Sequence, residues 1–162
     1  METLLKTEGL TVTYNADDRE YVCDLSAIPS GYYVCVNLCT QARFTGEFRL
    51  DAAKEKGRPE AGRKVLISGK KTDGIVDFHV IPCDNNKSAE YYDTEDLRLH
   101  LRVDIPEGND VSLRCCQSDP MKVKDTVYDR EVGVAYLLCF EDWTDNDYND
   151  FVFNITAWLK KG

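Results

Sequence analysis

The segment Phe140-Glu-Asp-Trp-Thr-Asp-Asn-Asp-Tyr-Asn-Asp-Phe151 concentrates the side chains of this chain that are best suited to chemistry. Five of the ten residues from Glu141 to Asp150 are acidic and none is basic. Asp145, Asp147, Asn149 and Asp150 offer hard oxygen donors, with Glu141 and Asp142 just upstream. Like charges near contact distance repel by about 1–4 kcal/mol at surface-like dielectric. Such a cluster therefore calls for full solvation or for a cation. An oxygen-seeking divalent ion relieves the repulsion. Ca2+, with about six to eight oxygen ligands, suits an all-protein cage better than Mg2+, which keeps its waters. The competing reading is a solvated acidic loop. Two features favour the ion. The segment is hemmed between the apolar runs Val132–Phe140 and Phe151–Trp158, and the D-x-D-x-N-D spacing alternates ligand with non-ligand side chains. An EF-hand is excluded, because counting from Asp145 the turn glycine is replaced by Asp150 and the bidentate glutamate by Thr156.

Other reactive residue types form no comparable constellation. The only histidines, His79 and His100, alternate within strand-like runs and read as exposed strand positions. No G-x-S-x-G and no Ser-His-Asp ordering is present, so the chain is read as non-enzymatic. Seven cysteines (23, 35, 39, 83, 115, 116 and 139) show no zinc-ligand spacing. Cys35, Cys39 and Cys139 lie in apolar runs, which predicts reduced, mostly buried thiols, with a few disulfides as the alternative. Adjacent Cys115 and Cys116 fall on opposite faces of a strand and do not bond to each other. Tyr91-Tyr92 is read as covering the core rather than as a ligand platform, and Trp158 as core or interface.

The elements that must position the acidic segment are strands. Leu97 to Ile105 alternates without a fault, and Thr11–Tyr14, Tyr33–Cys39, Phe44–Leu50, Val65–Ile67, Ile75–Ile81, Val111–Cys115, Val132–Phe140 and Phe151–Trp158 are further strand candidates. Turn residues separate them, among them Pro29-Ser-Gly31, Asp73-Gly74 and Ser118-Asp-Pro120. The pattern predicts one all-β domain over residues 1–162, an antiparallel β-sandwich of about eight to ten short strands. One helical turn is expected at Asp51–Lys56, stopped by Gly57 and Pro59, and a long polar loop over 88–96. Asp and Glu outnumber Lys and Arg by 29 to 20, a net charge of −9 that repels phosphate backbones and argues against nucleic-acid partners. No apolar run is long enough to span a membrane. The opening METLLKTEGLTVTY has no signal-peptide h-region, which predicts a cytoplasmic protein or release by a non-classical route.

The stretch Glu141-Asp-Trp-Thr-Asp-Asn-Asp-Tyr-Asn-Asp150, followed by an apolar strand, a tryptophan and the terminal Gly162, resembles the calcium-dependent fucose/mannose-binding lectins of bacteria. In that family an E-D-G-T-D-N-D-Y-N-D loop builds a two-calcium site, and this chain differs at one loop position only, Trp143. Upstream, Ile28-Pro29, the Tyr33–Cys39 strand and Gln41-Ala42-Arg43 resemble more weakly the family's early strand, which ends in Asn-Ser-Ser. The resemblance implies that Glu141, Asp145, Asp147 and Asp150 ligate one Ca2+ and that Asp147, Asn149 and Asp150 ligate the second. Gln41 then stands at an asparagine-ligand position, and the Gly162 carboxylate at a ligand position shared between protomers. It also implies that Asp142, Thr144, Asp145 and Asp150 contact the sugar, whose hydroxyls bind calcium directly, and that the chain forms a homodimer or higher homo-oligomer. Trp143, in place of glycine, stacks on a sugar face or fills the pocket rim. Ala42 and Arg43 replace serines that shape monosaccharide preference. The reading from sequence is thus a calcium-dependent, glycan- or monosaccharide-binding lectin; the alternative is a calcium-stabilised structural or adhesion domain that binds no sugar.

Overall fold

Alternating side chains and closely spaced turns yield two antiparallel sheets that pack face to face. The computed structural model describes residues 3–7, 10–15, 17–30, 32–72, 75–79, 96–106, 114–142 and 145–159. Its strands are β1 (Thr3–Thr7), β2 (Leu10–Asn15), β3 (Glu20–Asp24), β4 (Tyr32–Thr40), β5 (Gly46–Ala53), β6 (Arg63–Thr72) and β7 (Ile75–His79). They continue with β8 (Arg98–Val103), β9 (Arg114–Gln117), β10 (Met121–Asp125), β11 (Arg130–Glu141) and β12 (Phe151–Leu159). One sheet runs β1-β2-β3-β8-β5-β6-β7; the other runs β10-β11-β12-β4, with β9 also paired to β11. Because β12 occupies one edge of β11, β9 and β10 lie end to end along the other. Ser118 bridges their junction: its N–H donates to Leu137 O, and its hydroxyl accepts from Leu137 N–H.

The core lies between the sheets. Leu50, Leu99 and Leu101 of the larger sheet and Leu138, Phe153 and Ile155 of the smaller are fully buried. Aromatic rings cross the gap edge to face: Tyr21 meets Phe140 at 5.5 Å and Phe48 meets Phe153 at 5.2 Å. Such pairs add about 0.5–1.5 kcal/mol beyond their buried area. Phe140 and Phe151 are register partners, both buried, and they close the hairpin from which the acidic loop emerges. The loop is therefore anchored by two core rings rather than left as a free connection.

The all-β sandwich expectation holds, and the described residues form twelve strands where eight to ten were expected. The extra strands are β1, β3 and β10; β3 carries charge at both ends, and β10 alternates Met121 and Val123 with Lys122 and Lys124. The helical turn expected at Asp51–Lys56 is absent. β5 runs on to Ala53 through a bulge after Leu50, and a short 3-10 turn forms instead at Pro59–Ala61. The reason is tertiary: Asp51 is buried and its carboxylate accepts from Arg63 Nε at 2.7 Å and faces His100 Nε2 at 3.0 Å. Burial raises the Asp51 carboxyl, but the His100 and Arg63 contacts outweigh it and hold the group below its ordinary 3.8. His100 is correspondingly buried rather than exposed, with its other ring nitrogen 3.2 Å from Glu20.

The cysteines also depart from expectation. Of the six described, none forms a disulfide, but only Cys23 is buried; Cys35, Cys39 and Cys116 are exposed. They occupy the outward face of the smaller sheet, where an apolar run does not mean burial. Trp158 also stands on that face, 46% exposed, with its ring laid over Gly133, where a Cβ would come within 2.8 Å of it. Cys83, Tyr91 and Tyr92 lie outside the described residues.

Candidate metal centre

The site begins where β11 ends. Val134, Tyr136, Leu138 and Phe140 point into the core, so Asp142 continues the inward series and Glu141 the outward one. Both acids are nevertheless fully buried, because the loop folds back over the strand end. The curl uses two left-handed residues, Asn146 (φ 64°) and Tyr148 (φ 57°). Asparagine tolerates that conformation; for tyrosine it costs about 1–3 kcal/mol, which the surroundings must offset. The Tyr148 N–H donates to Glu141 Oε2 at 3.0 Å, the Arg114 guanidinium lies 5.8 Å over the Tyr148 ring, and Arg114 also donates to the Asn146 side chain.

Two groups of carboxylates result, and they share Glu141. Ligand oxygens of Glu141, Asp142 and Asp150 lie within 4.8 Å of one another, and so do those of Glu141, Asp145 and Asp147. The first group is closed from solvent, whereas Asp145 and Asp147 are exposed. One loop thus presents a shut compartment backed by the core and an open one facing water. In the closed compartment Asp142 Oδ2 accepts from Phe44 N–H at 3.0 Å, and the Asp142 N–H donates to Asp150 Oδ2. Asp142 Oδ1 has no hydrogen-bond partner although it is buried. Burial, with the Asp142 charge beside it, holds the Asp150 carboxyl above its ordinary 3.8. A buried, ionised carboxylate oxygen without a donor is costly unless a cation supplies the missing partner.

The β4–β12 register brings the early strand to this loop. Thr40 pairs with Phe151, so the chain beyond Thr40 runs beside Asp150. The Gln41 N–H donates to the Asn149 and Asp150 carbonyls at 3.2 Å, and the Ala42 N–H to the Asp150 carbonyl at 3.1 Å. The juxtaposition expected for Gln41 is thus present through the backbone, and its side chain is exposed. The corner is held from below by Lys71, a buried ammonium that donates to the Ala42 carbonyl and, at 3.1 Å, to the Phe44 carbonyl.

The expected ligands fall into place unevenly. Glu141, Asp145, Asp147 and Asp150 converge as carboxylates, but the residue common to both groups is Glu141, where Asp147 and Asp150 were expected to bridge. Asn149 braces Asp147, with its side-chain amide donating to Oδ2 at 2.6 Å and its N–H to Oδ1 at 3.3 Å. Asp142, expected at the sugar, is instead sealed beneath the loop. Trp143, Thr144 and Gly162 lie outside the described residues. Arg114, Phe44 and Lys71 are supports that sequence reasoning missed; they reach the site only through strand register, and no local motif marks them. No protein-family model matches the chain, and no curated protein is detectably similar to it.

Proposed function

We propose that this protein is a calcium-dependent carbohydrate-binding protein, a lectin without enzymatic activity. The observation that carries the reading is the buried Asp142 oxygen that lacks a donor between Glu141 and Asp150. Glu141, Asp142 and Asp150 would hold a Ca2+ in that closed compartment, which would supply the missing partner and offset most of the group's negative charge. Glu141, Asp145 and Asp147 would hold a second Ca2+ on the solvent side, where the ion would offer coordination to vicinal hydroxyls of a sugar. Exposed Asp145 and Asp147 then accept hydrogen bonds from neighbouring hydroxyls, and the geometry of the hydroxyl pair selects the sugar. The E-D-x-T-D-N-D-Y-N-D resemblance supports the same assignment and adds self-association as an expectation.

The burial of Glu141, Asp142 and Asp150 favours one alternative, a calcium-stabilised structural domain that uses the closed compartment alone. A glycan array probed with and without calcium, using the intact chain and an Asp147→Ala variant, separates the two. Calcium-dependent hits that disappear in the variant support the lectin. A blank array from a protein whose melting temperature still rises with calcium leaves the structural domain. Sugar binding retained by a folded, calcium-free Asp147→Ala variant overturns the mechanism.

A further inference from the structure

We propose that Cys116 and Cys139 form a reversible cross-strand dithiol/disulfide site on the outward face of the smaller sheet. The two are direct register partners in the antiparallel β9–β11 pair. Directly opposed residues in such a pair have Cα atoms about 4.5–5.5 Å apart, inside the 4.4–6.8 Å range of disulfides. Both side chains project to the same face of the sheet. Cys116 is exposed and Cys139 half-buried, so a small reagent reaches the first directly.

No other described pair has this relation. Cys35 and Cys39 are four residues apart on one strand, a separation of about 13 Å. Cys39 is divided from Cys139 by β12, where Val152 stands opposite both. Cys115 points to the other face, opposite Phe140, where burial pushes its thiol up to about 12.

The oxidant is a small-molecule disulfide of the glutathione class. The Cys116 thiolate attacks one sulfur, forming a mixed disulfide and releasing one thiolate. The Cys139 thiolate then displaces the second, so that two protein thiols become one S–S bond and one oxidant molecule becomes two thiols, which take up both protons. Cβ atoms of opposed strand residues sit about 4.5–5.5 Å apart, wide of the disulfide mean of about 3.8 Å, which makes the bond readily reducible. The inference rests on strand register and stands apart from the calcium reading.

The test is incubation of the reduced, folded chain with oxidised glutathione, followed by thiol titration after unfolding and by mass analysis of peptides under non-reducing conditions. The expected result is a fall from seven thiols to five, a mass lower by two hydrogens, and a link that survives Cys115→Ser. Cys116→Ser is expected to lose the link, and Cys139→Ser to leave a stable glutathione adduct on Cys116. A persistent adduct on Cys116 of the unsubstituted chain overturns the proposal, as does a link from Cys116 or Cys139 to any other cysteine.

Discussion

Replacing Asp142 by asparagine tests the metal centre through a change of sign. In the metal-free protein Asp142 shares a closed space with Glu141 and Asp150, their oxygens within 4.8 Å of one another. At that separation each ionised pair repels by about 3 kcal/mol at an effective dielectric of about 20. Part of this is already relieved, because the Asp150 carboxyl is held above its ordinary range and takes up a proton more readily. The amide keeps an acceptor for Phe44 N–H and turns its NH2 toward the neighbouring carboxylates. The expected net effect is a metal-free variant more stable than the unsubstituted protein by about 1–2 kcal/mol, or roughly 2–8 °C in melting temperature for a chain of this size. With calcium the order reverses. A ligand at a hundredfold excess over its dissociation constant stabilises the folded state by about 2.7 kcal/mol, a rise of roughly 5–11 °C, and Asp142→Asn is expected to lose more than about three quarters of that rise. Melting curves in chelator and in excess calcium read both arms, and calorimetric titration gives the affinity. A variant less stable than the parent in chelator, or one with an undiminished calcium shift, would refute the argument that Asp142 is a buried charge awaiting a cation.

Two further perturbations probe the supports. A Cβ on Gly46 would stand 2.5 Å from the ring of Phe151, which is 1% exposed and directly follows Asp150. Gly46→Ala is therefore expected to cost about 1–3 kcal/mol in denaturant unfolding and to weaken calcium binding by displacing β12; an unchanged unfolding midpoint counts against the packing described here. Asp51 supplies a pH test. Its folded pKa lies below 3.8, so its contribution is fully present above that value and lost as pH falls through the folded pKa. Asp51→Asn should destabilise the chain by about 1–3 kcal/mol at pH 7, with the gap narrowing once the parent's Asp51 is protonated. Equal gaps at both pH values would show that Asp51 acts through packing rather than charge.

Much of the architecture was legible locally. Alternation from Leu97 to Ile105 and in the runs flanking the loop identifies strands, because a period of two is intrinsic to extended backbone that buries one face. The acidic loop was legible for the same kind of reason, since the crowding of Glu141, Asp145, Asp147 and Asp150 is covalent proximity and exists before any folding. Strands carrying charge at alternate or terminal positions, such as Met121–Asp125, were missed because one edge of the pairing supplies what their composition lacks.

What lay beyond local reading were the properties that depend on which strand pairs with which. Composition makes Asp51–Lys56 look helical, yet Arg63 and His100, reached across neighbouring strands, hold Asp51 in β5. Alternation assigns Cys35, Cys39 and Cys139 to strands but does not say which face is covered, and the outward face carries the thiols. Asp142 and Asp145 are chemically alike and three residues apart, but one is sealed against the core and the other lies in water. That difference arises because Phe140 and Phe151 pin the hairpin while the Gln41–Phe44 corner closes over one side of it, an arrangement set by the β4–β12 register. Ligand chemistry is a property of side-chain type and spacing; desolvation, and with it the need for a cation, is a property of the folded packing.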